Sequence, residues 1–276
     1  MLYKEFSITD QNGNQATLTT YILENSPELK IEKRPALLIC PGGGYQMTSD
    51  REAEPIAVKL LQYGFATFVL RYSVAPVRYP SSLVQVAKAV AFIRENVVPW
   101  GIDTQKIVVA GFSAGGHLAA NLGVDWASDI LKQALGDDVE QWKPNAILLA
   151  DPVISSGSFA HIDSFKQLLG DDFEQLAKYL SLENKVSSQT PPTFLWHTGE
   201  DELVPAENSL AFVQALRKYH IPVEYHLFSY GGHGLSLGSE ASAAPNGYGI
   251  EENIQPWVDL FVQWFKKLPS QKKNSH

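Results

Sequence analysis

The run Ile107-Val108-Val109-Ala110-Gly111-Phe112-Ser113-Ala114-Gly115-Gly116-His117 decides how this chain is read. Residues 107–110 are apolar without interruption and short enough for a buried strand. From Ala114 the sequence turns to Ala, His, Leu, Ala, Ala, Asn and Leu, which suits a helix. Between the two lies Gly-x-Ser-x-Gly, a sharp strand-to-helix turn that pushes a serine hydroxyl out of the backbone at a helix N-terminus. The flanking glycines spare a strained turn from side-chain collisions with its neighbours. The pentapeptide alone carries little weight, since chance supplies roughly one match per ten chains of this length. A second copy, Gly234-Leu235-Ser236-Leu237-Gly238, is followed by Ser-Glu-Ala-Ser-Ala-Ala-Pro-Asn-Gly, which is not a helix sequence. Context therefore selects Ser113 as the candidate nucleophile.

The remainder of the chain provides the setting for a parallel sheet. Residues 3–8 and 16–23 alternate around Asp-Gln-Asn-Gly-Asn, predicting an N-terminal antiparallel hairpin. Strands are expected at 35–39, 65–70, 107–110, 146–150, 193–197 and 223–228. Helices are expected at 52–62, 81–96, 164–169, 173–180, 207–219 and 254–267, with residues 103–106 turning the chain into the strand before Ser113. Strands alternating with helices predict an α/β fold with a mostly parallel sheet covered on both faces. At 276 residues a full core can be buried, and one domain over 1–276 is expected, with a small insertion at about 151–191. Residues 270–276 read as disordered.

Composition narrows the function classes. Hydrophobic residues make up 45% and charged residues 19%, as in an ordinary globular protein. A net charge of -8 argues against nucleic acid and anionic membranes as partners. The single cysteine, Cys40, lies in the apolar run 36–40 and is expected to be a buried small hydrophobe. Residues 1–10 lack the pattern of a signal peptide, and no apolar segment is long enough to span a bilayer, so a cytoplasmic location is expected.

A nucleophilic serine needs a neutral base, and that base needs an acid to orient it. Behind this type of elbow the partners follow in the order acid, then histidine, each on a loop after a strand. The strand at 193–197 is followed by Gly199-Glu200-Asp201-Glu202-Leu203-Val204-Pro205, and the strand at 223–228 by Gly231-Gly232-His233-Gly234. Asp201 is the preferred acid because Asp-x-x-Val-Pro sets it just before the next helix. Asp151 is the runner-up, better explained as a cap or turn residue. His233 is the only histidine presented by a glycine-rich loop after the last strand. His117 suits packing or hydrogen bonding, and His197 a satisfied core position. No linear spacing of histidines and acids suggests a metal, and no cofactor is implied. Pro41-Gly42-Gly43-Gly44-Tyr45 lacks the Lys-Ser/Thr of a nucleotide loop and suits an oxyanion hole, with Gly43, Gly44 and Ala114 donating N–H groups.

These residues together resemble the α/β-hydrolase esterases, and in particular small acetylxylan-esterase-like and feruloyl-esterase-like carboxylesterases. The similar stretches are Cys40–Tyr45, Gly111–Ala120, 180–209 and Gly231–Leu235. The resemblance implies an α/β-hydrolase fold and a triad of Ser113, Asp201 and His233. Proline stands where hormone-sensitive-lipase relatives open their oxyanion loop with histidine. The expected activity is serine carboxylic-ester hydrolysis of short-acyl esters, including acetylated sugars, with a small-molecule ester as the partner. The alternatives are a serine exopeptidase on the same fold or a non-catalytic ligand-binding protein. A homo-oligomer is left open. Tyr45, Tyr72, Tyr79 and Tyr230 offer rings to stack on a sugar or aryl group. The polar insertion, with Phe165, Leu168 and Leu169 facing inward, lacks the apolar lid of a lipase. The acid limb of turnover is expected near the ordinary histidine value, roughly 6–7.

Overall fold

A computed structural model describes residues 1–269. The expected disorder at 270–276 lies outside the described residues. The chain opens with β1 (Leu2–Thr9) and β2 (Gln15–Ile22), an antiparallel hairpin in register from Leu2↔Ile22 to Thr9↔Gln15. Its turn is held by Asp10, whose carboxylate accepts from the backbone of Asn12 and Asn14 and from the Asn14 amide. This is how aspartate in a turn substitutes for missing backbone partners.

The alternation then begins: β3 (Arg34–Cys40), α1 (Glu54–Leu61), β4 (Ala66–Arg71), α2 (Ser81–Glu95), α3 (Val97–Trp100), β5 (Ile102–Phe112) and α4 (Ala114–Asp125). It continues through α5 (Asp129–Leu135), β6 (Ala146–Ala150), α6 (Ile162–Leu169), α7 (Phe173–Leu176), β7 (Thr193–Thr198), α8 (Glu207–Lys218), β8 (Val223–Phe228) and α9 (Trp257–Lys267). The sheet order is β1-β2-β4-β3-β5-β6-β7-β8. Only β1/β2 and β2/β4 pair antiparallel; every other neighbouring pair is parallel. The fold is the expected α/β-hydrolase architecture.

Because side chains alternate across a strand, each buried strand feeds two cores. Leu37, Ile39, Val108, Ala110, Phe112, Leu148, Phe194 and Trp196 face α1 and α9. Leu38, Ile107, Val109, Ile147, Leu149 and Leu195 face the side covered by α2, α4 and α8. Helices on both faces explain why these strands are apolar throughout and not only at every second residue. The first core is aromatic: Phe261 of α9 sits among Phe65, Phe194, Trp264 and Phe265 at centroid distances of 5.6–6.2 Å. On the other side Phe165, Leu168 and Leu169 of α6 are buried, so the segment 151–191 is anchored to the body.

Several boundaries differ from expectation. Residues 103–106 do not form a turn, because β5 already begins at Ile102, paired with Arg34 before a register shift. The second helix of the 151–191 segment stops at Leu176, and the closing helix starts at Trp257, after Pro256. Helices α3 and α5 were not expected. Among the described residues no helix is long and apolar enough to cross a membrane.

Candidate active site

Strand β5 ends and α4 begins around Ser113, which has φ 52° and ψ -119°. A non-glycine residue adopts this conformation only when its surroundings enforce it. Here the Ser113 N–H donates to the Ala150 carbonyl at 3.0 Å, and the Ser113 carbonyl accepts from His117 and Val153, each at 3.1 Å. Gly115 is needed for close approach: a Cβ there would lie 2.1 Å from the Cys40 carbonyl oxygen. The hydroxyl is thereby fixed at the edge where the parallel strands end, in a cleft of about 600 Å³.

The loops after β7 and β8 meet it there. Nε2 of His233 lies 2.7 Å from Ser113 Oγ, and Nδ1 lies 2.7 Å from Asp201 Oδ2. Asp201 is itself held by the N–H groups of Leu203 and Val204 on Oδ1 and by His197 Nε2 on Oδ2. His197 Nε2 also lies 2.8 Å from the Val204 carbonyl, which can only accept, so this nitrogen carries the proton. Nδ1 of His197 therefore accepts from the Ser209 hydroxyl. The core histidine thus braces the acid.

Electrostatics follow from this packing. Burial would raise the Asp201 pKa, but the hydrogen bonds from His197 and His233 outweigh it and hold the carboxyl below its usual range. Burial likewise works against a charged His233, yet Asp151, Asp201 and Glu52 together push its pKa up to about 9. That departs from the ordinary histidine value expected from sequence. Glu52 is pushed up to about 7, first by burial and then by the charge of Asp151.

Glu52 is the residue that sequence reasoning missed, and Asp151, the runner-up acid or turn residue of the sequence, stands close to the base. Glu52 accepts from the Gly42 N–H at 2.8 Å and so fixes the glycine loop. A signal existed: Glu52 stands four residues before Ile56 and eight before Leu60, the spacing of one helical face, and all three are buried although α1 itself begins only at Glu54. Asp151 accepts from the Gly234 N–H at 2.7 Å, and its Oδ2 lies 3.5 Å from His233 Nδ1. His161, at the start of α6, also lines the cleft, with its Nδ1 2.8 Å from Ser164 Oγ.

Of the three expected oxyanion donors, Gly43 and Gly44 share the cleft with Ser113, and Ala114 follows it in the chain. Gly43 and Gly44 line the cleft, and among the described residues neither N–H has a partner. Gly43 has φ 128°, and a Cβ on it would meet the Met47 carbonyl at 2.3 Å. Ala114 is the first residue of α4, where an N–H has no acceptor within the helix.

The tyrosines differ from expectation. Tyr45 and Tyr72 are 2% and 3% exposed, so neither ring is open to a ligand. Tyr45 instead donates to His117 Nδ1, and His117 Nε2 donates to the Leu180 carbonyl. Burial lowers the His117 pKa to about 4 and keeps it neutral. Tyr72 donates to the Pro41 carbonyl. Both rings are packed into the core, with Tyr72 bonded to the start of the glycine loop. The Tyr79 hydroxyl is buried as well. Tyr230 is exposed but does not line the cleft. Tyr248, unremarked in the sequence, donates to the His233 carbonyl at 2.6 Å. Ser236, in the second Gly-x-Ser-x-Gly, donates its hydroxyl to the Arg51 carbonyl and stands at no strand-to-helix turn. Cys40 is buried, and burial raises its thiol pKa.

Folding also makes a cluster that linear spacing did not suggest: ligand atoms of Asp151, Asp201 and His233 lie within 4.8 Å of one another. Such a trio could hold a cation. Here Nδ1 of His233 and Oδ2 of Asp201 are bonded to each other, and Oδ2 of Asp151 accepts an N–H.

The chain as a whole is similar to known proteins. The BD-FAE family profile matches residues 25–216, well over half of the chain. A protein named endo-1,4-beta-xylanase B from Butyrivibrio fibrisolvens is 37% identical over 214 residues, which is 75% of this chain and 33% of that protein. The crystal structure of an acetyl ester-xyloside bifunctional hydrolase from Caldicellulosiruptor lactoaceticus is 37% identical and superposes with a TM-score of 0.81, covering 95% of each chain. The carboxylesterase Cest-2923 from Lactobacillus plantarum WCFS1 is 30% identical, with a TM-score of 0.86 over 96% of this chain and 97% of that one. The chain spans 33%, 48% and 52% of the length of the first three curated relatives it matches.

Proposed function

The chain belongs to the BD-FAE family, and from that premise we propose that it is a serine carboxylic-ester hydrolase acting on short-acyl esters of hydroxylated alcohols. One observation carries the reading: Ser113, His233 and Asp201 form an unbroken hydrogen-bonded relay with two links of 2.7 Å. Neutral His233 takes the hydroxyl proton on Nε2 as Ser113 Oγ bonds to the ester carbonyl carbon. The carbonyl oxygen becomes an oxyanion facing the N–H groups of Gly43, Gly44 and Ala114. His233 then returns the proton to the departing alkoxide, the carbon–oxygen bond breaks and an acyl-serine remains. Water, deprotonated by His233, releases the acid and restores the serine. Asp201 keeps the imidazole in the tautomer with its proton on Nδ1 and stabilises the cation that forms.

The cleft supports the substrate class. Gln46, Ser49, Arg51, Glu52 and His161 give it polar walls, and Met47 and Leu203 form an apolar portion. Such walls suit a polyhydroxylated alcohol more than a long acyl chain. The similarity to an acetyl ester-xyloside hydrolase points the same way, towards acetylated sugars. The test is a fluorophosphonate label on wild-type protein and on Ser113→Ala, with kcat/KM measured on aryl esters from acetate to palmitate and on acetylated xylo-oligosaccharides. Labelling lost in Ser113→Ala, with a maximum at short acyl groups, supports the proposal. Unlabelled wild-type protein, or a maximum at eight carbons or longer, overturns it.

A further inference from the structure

Two carboxylates from adjacent strands reach the same imidazole nitrogen. Asp201 follows β7 and lies 2.7 Å from His233 Nδ1; Asp151 follows β6 and lies 3.5 Å from it. The Asp151 side chain is 3% exposed. One of its oxygens accepts the Gly234 N–H, from the residue next to His233, so the carboxylate is tied to the loop that carries the base. The other oxygen, Oδ1, is buried with no hydrogen-bond partner among the described residues.

A turn residue does not account for this. Asp151 has φ 37°, which asparagine tolerates as well as aspartate, and an asparagine carbonyl would accept the Gly234 N–H equally. What asparagine could not supply is charge. A buried carboxylate with an unpaired oxygen is costly unless a cation stands beside it. The cation available is the imidazolium that forms each time His233 takes the serine proton.

We propose that Asp151 is a second acid of the site, a positioning residue that shares the charge of His233 with Asp201 and holds the Nδ1–H tautomer when Asp201 is removed. This rests on the serine-hydrolase reading above. The other titratable or charged groups around the imidazole are Glu52, His161, Arg51 and Tyr248. Of the three acids that act on the ring, only Asp151 and Asp201 approach Nδ1 within 4 Å. The raised basicity of His233 accords with this, since the charge of Asp151 acts on it more strongly than any other.

The test is a cycle of Asp151→Asn, Asp201→Asn and the double variant. It is read by 4-nitrophenyl acetate hydrolysis, the rate of fluorophosphonate labelling, thermal melting and NMR titration of the His233 ring. Asp151→Asn is expected to keep its melting temperature while the His233 titration and the acid limb of kcat/KM move to lower pH. Asp201→Asn is expected to lose much less than the about 10⁴ in turnover that follows when the only triad acid becomes an amide. The double variant is expected to fall more than about tenfold below the product of the single losses. A His233 titration unchanged in Asp151→Asn, or an Asp201→Asn variant as inactive as the double, overturns the proposal. Wild-type protein that neither hydrolyses the ester nor takes the label would overturn the serine-hydrolase reading itself. The His233 titration still decides the role of Asp151 in that event.

Discussion

The buried carboxylate of Glu52 accepts the Gly42 N–H at 2.8 Å, linking the turn before α1 to the loop whose Gly43 and Gly44 line the cleft with Ser113. A charge placed there acts on two parts of the site at once. Glu52→Gln can still accept the N–H, so the loop is expected to stay in place. Its lost charge should lower the acid limb of kcat/KM towards the ordinary histidine value. Glu52→Ala removes the anchor as well and is expected to lower kcat more than it raises KM. Steady-state kinetics from pH 5 to 10 on the two variants separate the effects, and identical profiles would contradict them.

The wild-type pH profile follows from the sign of the His233 shift. The imidazole must be neutral to accept the serine proton, and the carboxylates around it favour the protonated form, pushing its pKa up to about 9. Turnover should therefore rise with pH well past neutrality and fall about tenfold per unit on the acid side. The measurement is kcat/KM against pH, corrected for spontaneous ester hydrolysis. An acid limb at 6.5 or below would show that the carboxylates do not raise the basicity of His233.

The two Gly-x-Ser-x-Gly motifs should separate cleanly. Ser113→Ala is expected to keep its melting temperature and lose turnover by several orders of magnitude, because triad members act as a unit. Ser236→Ala should keep turnover within a few-fold but lose the buried bond to the Arg51 carbonyl, a loss of about 1 kcal/mol. Parallel kinetics and urea melts check both halves.

Stability on the aromatic side of the sheet should depend on single rings. Phe261 is fully buried between α9 and the sheet, packed on Phe65 and Phe194. Phe261→Ala should destabilise the protein by about 3–5 kcal/mol through lost burial and the cavity left behind. Urea unfolding measures it, and a loss under 1 kcal/mol would mean that the site collapses to fill the space.

Much of this was legible from residue order because the signals are local. The apolar run 146–150 and the alternating stretch 223–228 carry their strand signal in their own residues, and both strands have the expected bounds. Boundaries failed where a neighbour decides them. β5 extends back to Ile102 because β3 offers Arg34 as a partner, which no reading of 103–106 could reveal. The tyrosines failed for the same reason: a ring beside a glycine loop can point outward or inward, and packing sends Tyr45 and Tyr72 inward.

The sequence by itself determined the sheet class, the elbow at Ser113 and the loops carrying Asp201 and His233, since each depends on residue types at short spacing. Only the tertiary structure decided what surrounds the base. Glu52, Asp151 and Asp201 come from three separate segments, and their shared effect on His233 is Coulombic. Such an effect depends on distance through space and on burial, and neither is written in the order of the residues.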